Sequence, residues 1–269
     1  MNLVLFINGQ LGLKILNYLS QYKQYTINTI FLNSDAKRPS NYIAEIESLL
    51  KEKNLRPSIV RWDREAFQIE NFGVDLKQPI FGVSALFGHI LPEEMIGKFS
   101  GGILNLHPSL LPIGRGADPI PWSIIERRPQ GITLHLISKQ LDSGDIVFQR
   151  EISTTLDMSA GDIYEIATTE LFNEFSRCFL KWVNGEIILS PQGSVNVSQH
   201  QSSELASLQI IKEDEGGTFG EFVRRLQATT FSNGRRPLFK DNMGKIWEVT
   251  FSISGLKISS SEDNSNARE

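Results

Sequence analysis

Asn105 and His107 close an apolar run, and Asp142 sits later in Leu141-Asp142-Ser143-Gly144. Alternate residues of a strand project from one face, so this spacing sets the Asn105 amide beside the His107 imidazole. Pro108-Ser109 follows at once, a turn suited to holding the pair at a strand end. An amide N–H and a protonated imidazole can both donate to an oxygen that becomes negative during acyl transfer. A carboxylate from a later loop can orient the imidazole and take up a proton.

The other candidates are weaker. Asp142 alone suits a turn, and only its combination with Asn105 and His107 raises it. His135 lies on an alternating stretch two residues from Thr133 and is expected to be packed or supporting. His89 is a lesser case, and His200 falls in a polar stretch where it is expected to be inert. The four histidines show no metal-ligand spacing with Cys or paired carboxylates, so no catalytic metal is expected. No G-x-S-x-G occurs, which argues against a serine hydrolase. Gly9-Gln10-Leu11-Gly12 is only G-x-x-G; a turn pair is the plain reading, although backbone there could approach a phosphate. Arg224, Arg225, Arg235 and Arg236 form a basic cluster, by default a solvated face and otherwise a phosphate site.

These residues need a scaffold, and the patterning predicts one. Leu3 to Ile7 is a continuous apolar run broken by the glycine turn, after which Leu13, Leu16 and Leu19 return at helical spacing. Strand, turn, helix is the opening of a parallel α/β sheet. Further strands are expected at Tyr25–Leu32, Ile59-Val60, Pro79–Leu86, Gly102–Leu106 and Ile132–Ile137. Ile146–Glu151 would complete a hairpin around Asp142. Helices are expected at Tyr42–Leu50, Pro92–Phe99, Trp122–Arg127 and, longest, Asp157–Val183. Binding sites in such sheets lie at the strands' carboxyl ends. Ser190 to Ser207 reads as a linker, Phe219–Leu226 as an amphipathic helix and Lys245–Ile253 as a strand. Phe219, Phe222, Leu226 and Phe231 look like one packed side. The expected organisation is a Rossmann-like unit over 1–195, a small α+β module over 205–258 and a frayed tail over 259–269.

Composition sets the outer bounds. The chain has 269 residues and a formal net charge of −4, which gives no general attraction to nucleic acid or to anionic membranes. One cysteine, Cys178 beside Phe179 on the long helix, excludes an internal disulfide and reads as a buried thiol. No apolar stretch approaches the roughly 18 residues that span a bilayer. The N-terminus lacks a basic n-region, so a cytoplasmic protein is expected.

Residues 80–150 resemble the folate-dependent formyltransferases. The likeness is carried by Phe87-Gly88-His89-Ile90-Leu91-Pro92, Asn105-Leu106-His107-Pro108-Ser109-Leu110-Leu111-Pro112, Arg115-Gly116, Pro119, Trp122 and Leu141-Asp142-Ser143-Gly144-Asp145-Ile146, in matching order and spacing. The resemblance implies a Rossmann-like domain that takes a formyl group from N10-formyltetrahydrofolate and gives it to an amine, with no metal. Asn105, His107 and Asp142 match the family's catalytic trio. By the same resemblance the pterin is expected around Phe87, His89, Ile90 and Leu91 and the loop with Gln140, Leu141 and Asp145. The amine substrate is expected near Asn8, Gly9, Arg115 and Gly116.

The acceptor is the open choice. Within the family it is methionyl-tRNA, glycinamide ribonucleotide or a nucleotide-linked amino sugar. An acidic chain with a small C-terminal module argues against RNA. Phe219-Gly220-Glu221-Phe222 through Phe231, followed by Gly234-Arg235-Arg236-Pro237, looks like the module of the sugar-nucleotide N-formyltransferases. That resemblance implies a small-molecule nucleotide-sugar substrate and a role in surface-glycan synthesis such as lipopolysaccharide O-antigen; apolar residues of the module are expected to serve a homodimer interface, and the acidic charge predicts no nucleic-acid or membrane partner. Methionyl-tRNA formylation, a non-catalytic folate- or nucleotide-binding module, and hydrolysis of the formyl group to formate are the alternatives.

Overall fold

The computed structural model describes residues 1–33, 42–62, 78–193, 200–231, 234–250 and 252–254. Strand β1 (Asn2–Ile7) enters helix α1 (Gly9–Leu19), and β2 (Thr26–Leu32), α2 (Ile43–Glu52), β3 (Ser58–Arg61) and β4 (Ile80–Ala85) follow. Then come α3 (Glu93–Ile96), β5 (Ile103–His107), α4 (Pro119–Ile125), β6 (Gln130–Leu136), β7 (Ile146–Ile152) and the long α5 (Ala160–Val183). The seven strands form one sheet in the order β3-β2-β1-β4-β5-β6-β7. The first five run parallel, whereas β6 and β7 are antiparallel to their neighbours, as the hairpin around Asp142 requires.

Both faces of β1 are covered, which is why its sequence is apolar without alternation. Leu3, Leu5 and Ile7 face a core built with Leu11, Ile15 and Leu16 of α1 and Leu171, Phe175 and Phe179 of α5. Val4 and Phe6 face the opposite way, onto Phe31, Trp62, Leu91, Met95 and Phe99. The G-x-x-G pair is structural in two ways. Gly9 turns the chain into α1 at φ +63, where side chains are strained, and a Cβ on Gly12 would lie 2.7 Å from that of Ile7. Helix α1 therefore lies against β1 because Gly12 lets it.

Helix α5 begins three residues later than the apolar pattern predicts. Ser159 and Asp162 form a reciprocal capping box that satisfies the first free N–H groups and fixes the start at Ala160. The stretch expected as a linker is partly ordered: α6 (Ser202–Leu208) occupies its end, with Gln201 and Glu204 capping one another. Strand β8 (Ile210–Lys212), α7 (Phe219–Thr229), β9 (Leu238–Lys240) and β10 (Ile246–Glu248) complete a three-stranded sheet ordered β10-β9-β8. The expected strand Lys245–Ile253 is thus shorter, and the expected tail 259–269 lies outside the described residues. On α7 the predicted packed side is only partly realised: Phe219 is 83% exposed, while the buried residues are Gln227, Ala228 and Thr229. The small unit is fastened by a Gly161 N–H to Thr230 carbonyl bond of 2.9 Å and by Phe231 against Tyr164. Among the described residues no helix is long and apolar enough to cross a membrane.

Candidate active site

Antiparallel pairing of β5 with β6 sets the register Asn105↔His135 and His107↔Thr133, so the sequence-predicted pair gains a second imidazole as its cross-strand neighbour. The Asn105 Nδ2 donates to His135 Nε2 at 3.0 Å. His135 Nδ1 in turn donates to the Leu136 carbonyl at 2.9 Å, which leaves Nε2 as the lone-pair atom of a neutral ring. Burial lowers the pKa of His135 to about 4, opposed by the Asp142 carboxylate. His135 thus belongs to the centre, a closer role than the sequence assigns it.

His107 is 6% exposed, and its Nε2 donates to the Gly114 carbonyl at 2.9 Å. Its Nδ1 is the ring atom that faces the centre, 3.9 Å from Asp142 Oδ2. That separation exceeds hydrogen-bond reach. The imidazole is therefore oriented by the Gly114 backbone and not, as expected, by Asp142. Asp142 is itself fixed: the Gly116 N–H donates to Oδ2 at 2.9 Å, and Oδ1 lies 3.6 Å from His135 Nε2. Its φ of +47 is a left-handed conformation held by the turn. The following Gly144 cannot be larger, because a Cβ there would lie 1.9 Å from the Leu136 carbonyl oxygen.

Three residues outside the expected set complete the surroundings. Gln192 donates through Nε2 to the Asp142 carbonyl at 3.0 Å and the Gly144 carbonyl at 2.7 Å, while its Oε1 accepts from Arg115 at 2.7 Å. One side chain from the supposed linker thus ties the Asp142 turn to the Arg115-Gly116 loop. His200, expected to be inert, stacks on Trp122 with ring centroids 3.6 Å apart and bonds Glu126 and Glu204 at 2.9 Å each. Its carbonyl accepts from Ala117, so it braces that same loop. Trp62 packs edge-on against Phe87 at 5.5 Å and at a tilt beside His89. A polar composition suggested a linker because it carries no trace of these pairwise contacts.

The expected binding residues are placed unevenly. Phe87 and His89 form an aromatic wall with Trp62, and the Gly88 N–H is pinned by Asn33 Oδ1 at 3.2 Å. Ile90 is 68% exposed, whereas the Leu91 side chain is in the core beside Met95 and Phe99. Leu141 and Asp145 are exposed, and the Gln140 carbonyl accepts from Ser138 and Ser143. Asn8 precedes α1 without capping it, and its Oδ1 is buried with no hydrogen-bond partner among the described residues. Of the arginine cluster, Arg225 is committed to Glu215 and to the carbonyls of Leu208 and Ile210. Local spacing shows no metal-ligand set, yet the fold gathers ligand atoms of His107, His135 and Asp142 within 4.8 Å of one another. They come from two strands and a turn, which spacing along the chain cannot reveal.

The family profile described as Formyl transferase matches residues 1–171. The chain belongs to the formyl transferase family. A methionyl-tRNA formyltransferase of Ruminiclostridium cellulolyticum is 33% identical over 141 residues, covering 52% of this chain and 44% of that one. The chain therefore spans less than half the length of this relative. Among solved structures, a 4-N formyltransferase from Francisella tularensis superposes with a TM-score of 0.77 at 20% identity, covering 95% of this chain and 98% of the other. An N-formyltransferase from Helicobacter canadensis, in complex with folinic acid and dTDP-3-aminofucose, gives 0.60 at 18% identity over 84% and 79%. The mostly parallel α/β fold is the one the sequence resemblance implies.

Proposed function

We propose that this chain moves a formyl group from N10-formyltetrahydrofolate to the amine of a nucleoside-diphosphate-linked amino sugar. The observation that carries the reading is the convergence of Asn105, His107 and Asp142 at the end of β5 in a chain of this family. The half-buried rings of Phe87 and His89, backed by the buried Trp62, suit a planar heterocycle, which supports a folate there. The sugar acceptor is favoured by the small C-terminal unit and by the acidic net charge of −4. The overlap with the Helicobacter protein, solved with folinic acid and dTDP-3-aminofucose, supports the same reading.

The folate supplies the activated formyl carbon. Asn105 spends one amide N–H on His135 and keeps a second for the carbonyl oxygen that turns negative as the amine attacks. His107, protonated at Nδ1, is the other donor. A well-placed donor of this kind contributes about 3–4 kcal/mol. Asp142, held by the Gly116 N–H, accepts the proton from the ammonium that forms once the neutral amine has attacked and passes it, directly or through water, toward the departing nitrogen. The new C–N bond forms as the bond to N10 breaks, and tetrahydrofolate leaves.

An acceptor screen tests the reading. Tetrahydrofolate release should depend on an added nucleoside-diphosphate amino sugar, with little release on methionyl-tRNA. Robust, salt-sensitive formylation of methionyl-tRNA at low enzyme concentration would overturn the sugar assignment, and formate release without any amine would make the chain a hydrolase.

A further inference from the structure

The hydrogen bonds of the two buried imidazoles leave a set of metal-type donor atoms, of which the proposed transfer reaction uses His107 and Asp142 one at a time and never as a group. His107 gives its Nε2–H to the Gly114 carbonyl and His135 gives its Nδ1–H to the Leu136 carbonyl, both at 2.9 Å. With the outer N–H given away, each ring in its neutral form turns a lone pair inward, at Nδ1 and Nε2 respectively, and at His107 an ion would take the place of the proton that the transfer reaction uses. Between them stands a carboxylate, with Asp142 Oδ1 3.6 Å from His135 Nε2 and Oδ2 3.9 Å from His107 Nδ1. Two imidazoles anchored to backbone carbonyls by their outer nitrogens are the arrangement that orients histidine ligands around metals.

We propose that His107, His135 and Asp142 form a binding site for a zinc-class divalent cation, and that an ion there excludes catalysis. Bonds of about 2.0–2.2 Å in a tetrahedron put neighbouring ligand atoms about 3.4 Å apart. One ligand atom from each of the three residues already lies within 4.8 Å of the others, with a different Asp142 oxygen near each imidazole, so a small turn of the carboxylate and contraction by up to about an ångström close the set. The ion takes the His135 lone pair now shared with Asn105, whose amide must turn aside. The fourth position stays open to water, since three protein ligands are present. Occupancy ties up the His107 nitrogen and the Asp142 oxygens, so the ion acts as an inhibitor. Binding stands on this geometry alone, whereas inhibition rests on the formyl-transfer reading.

Calorimetric titration of the chelator-stripped full chain with ZnCl2, without folate or acceptor, tests the site. Wild type should bind, and Asp142→Asn and His135→Gln should each weaken binding at least tenfold. Cys178→Ser should leave it unchanged, because that thiol lies on α5. Asn105→Asp adds a carboxylate beside His135 Nε2 and should tighten binding several-fold, a gain that a damaged fold cannot mimic. Co2+ bound to wild type should give a tetrahedral spectrum without a thiolate charge-transfer band. Absence of binding at about 1 mM zinc, or an affinity that neither Asp142→Asn nor Asn105→Asp alters, would overturn the site. Zinc binding without formyl transfer would sink the functional reading alone, and transfer that zinc does not touch would sink the inhibitory role.

Discussion

Burial holds His135 neutral, and a neutral Nε2 is what accepts the Asn105 amide and fixes its direction. An unfolded histidine takes up its proton near pH 6.5, whereas this one waits until about 4. Between those values the unfolded chain binds more protons, so the contribution is whole above pH 6.5 and is lost as pH falls through 4. The difference amounts to about 3 kcal/mol. Urea unfolding in the presence of chelator should show wild type losing about that much more stability than His135→Gln between pH 7 and pH 4. Equal losses would mean that the ring is not held neutral. Asn105 and His107 were legible because a two-residue period is visible along the chain, whereas the His135 partner depends on β5–β6 register, which no local pattern encodes.

At the scale of elements, the turn carrying Asp142 depends on a segment that composition marks as a linker. Gln192→Ala removes the ties to the Asp142 and Gly144 carbonyls and frees Arg115. Because this side chain holds the turn and does not touch the reacting atoms, kcat should fall about tenfold while the melting temperature moves little, as expected when catalytic groups drift slightly out of place. Unchanged kcat would assign Gln192 no positioning role. At the start of α5, Ser159→Ala breaks one half of the capping box and should cost about 1 kcal/mol of stability by denaturant unfolding. The strands of the large sheet were readable from their apolar runs. Three-residue β8 and β9 were not, because runs that short carry no period, and α6 was hidden by its polar caps.

For the whole molecule, the C-terminal unit is part of the scaffold. Arg235 reaches Asp118 at 3.7 Å, Gln227 Nε2 bonds the Met158 carbonyl at 3.3 Å, and α7 lies across α4 next to the site loop. Truncation near Ser207 should leave a folded but aggregation-prone chain, because the faces of α4 and α5 under α7 become exposed; a truncated chain that stays soluble by light scattering would show the unit to be merely appended. The polar stretch reads as a boundary in the sequence, but the bonds that tie α7 to α4 and α5 leave no trace there. All of this architecture serves one centre, and its removal is the direct test. Formyl-transfer rates should be measured for His107→Ala, with the dissociation constant for the acceptor measured separately. The expected result is a kcat lower by about a hundredfold or more with acceptor affinity nearly intact, because the lost interaction strengthens only as negative charge develops. A near-normal kcat, or a loss expressed only as weaker acceptor binding, would contradict formyl transfer at this centre.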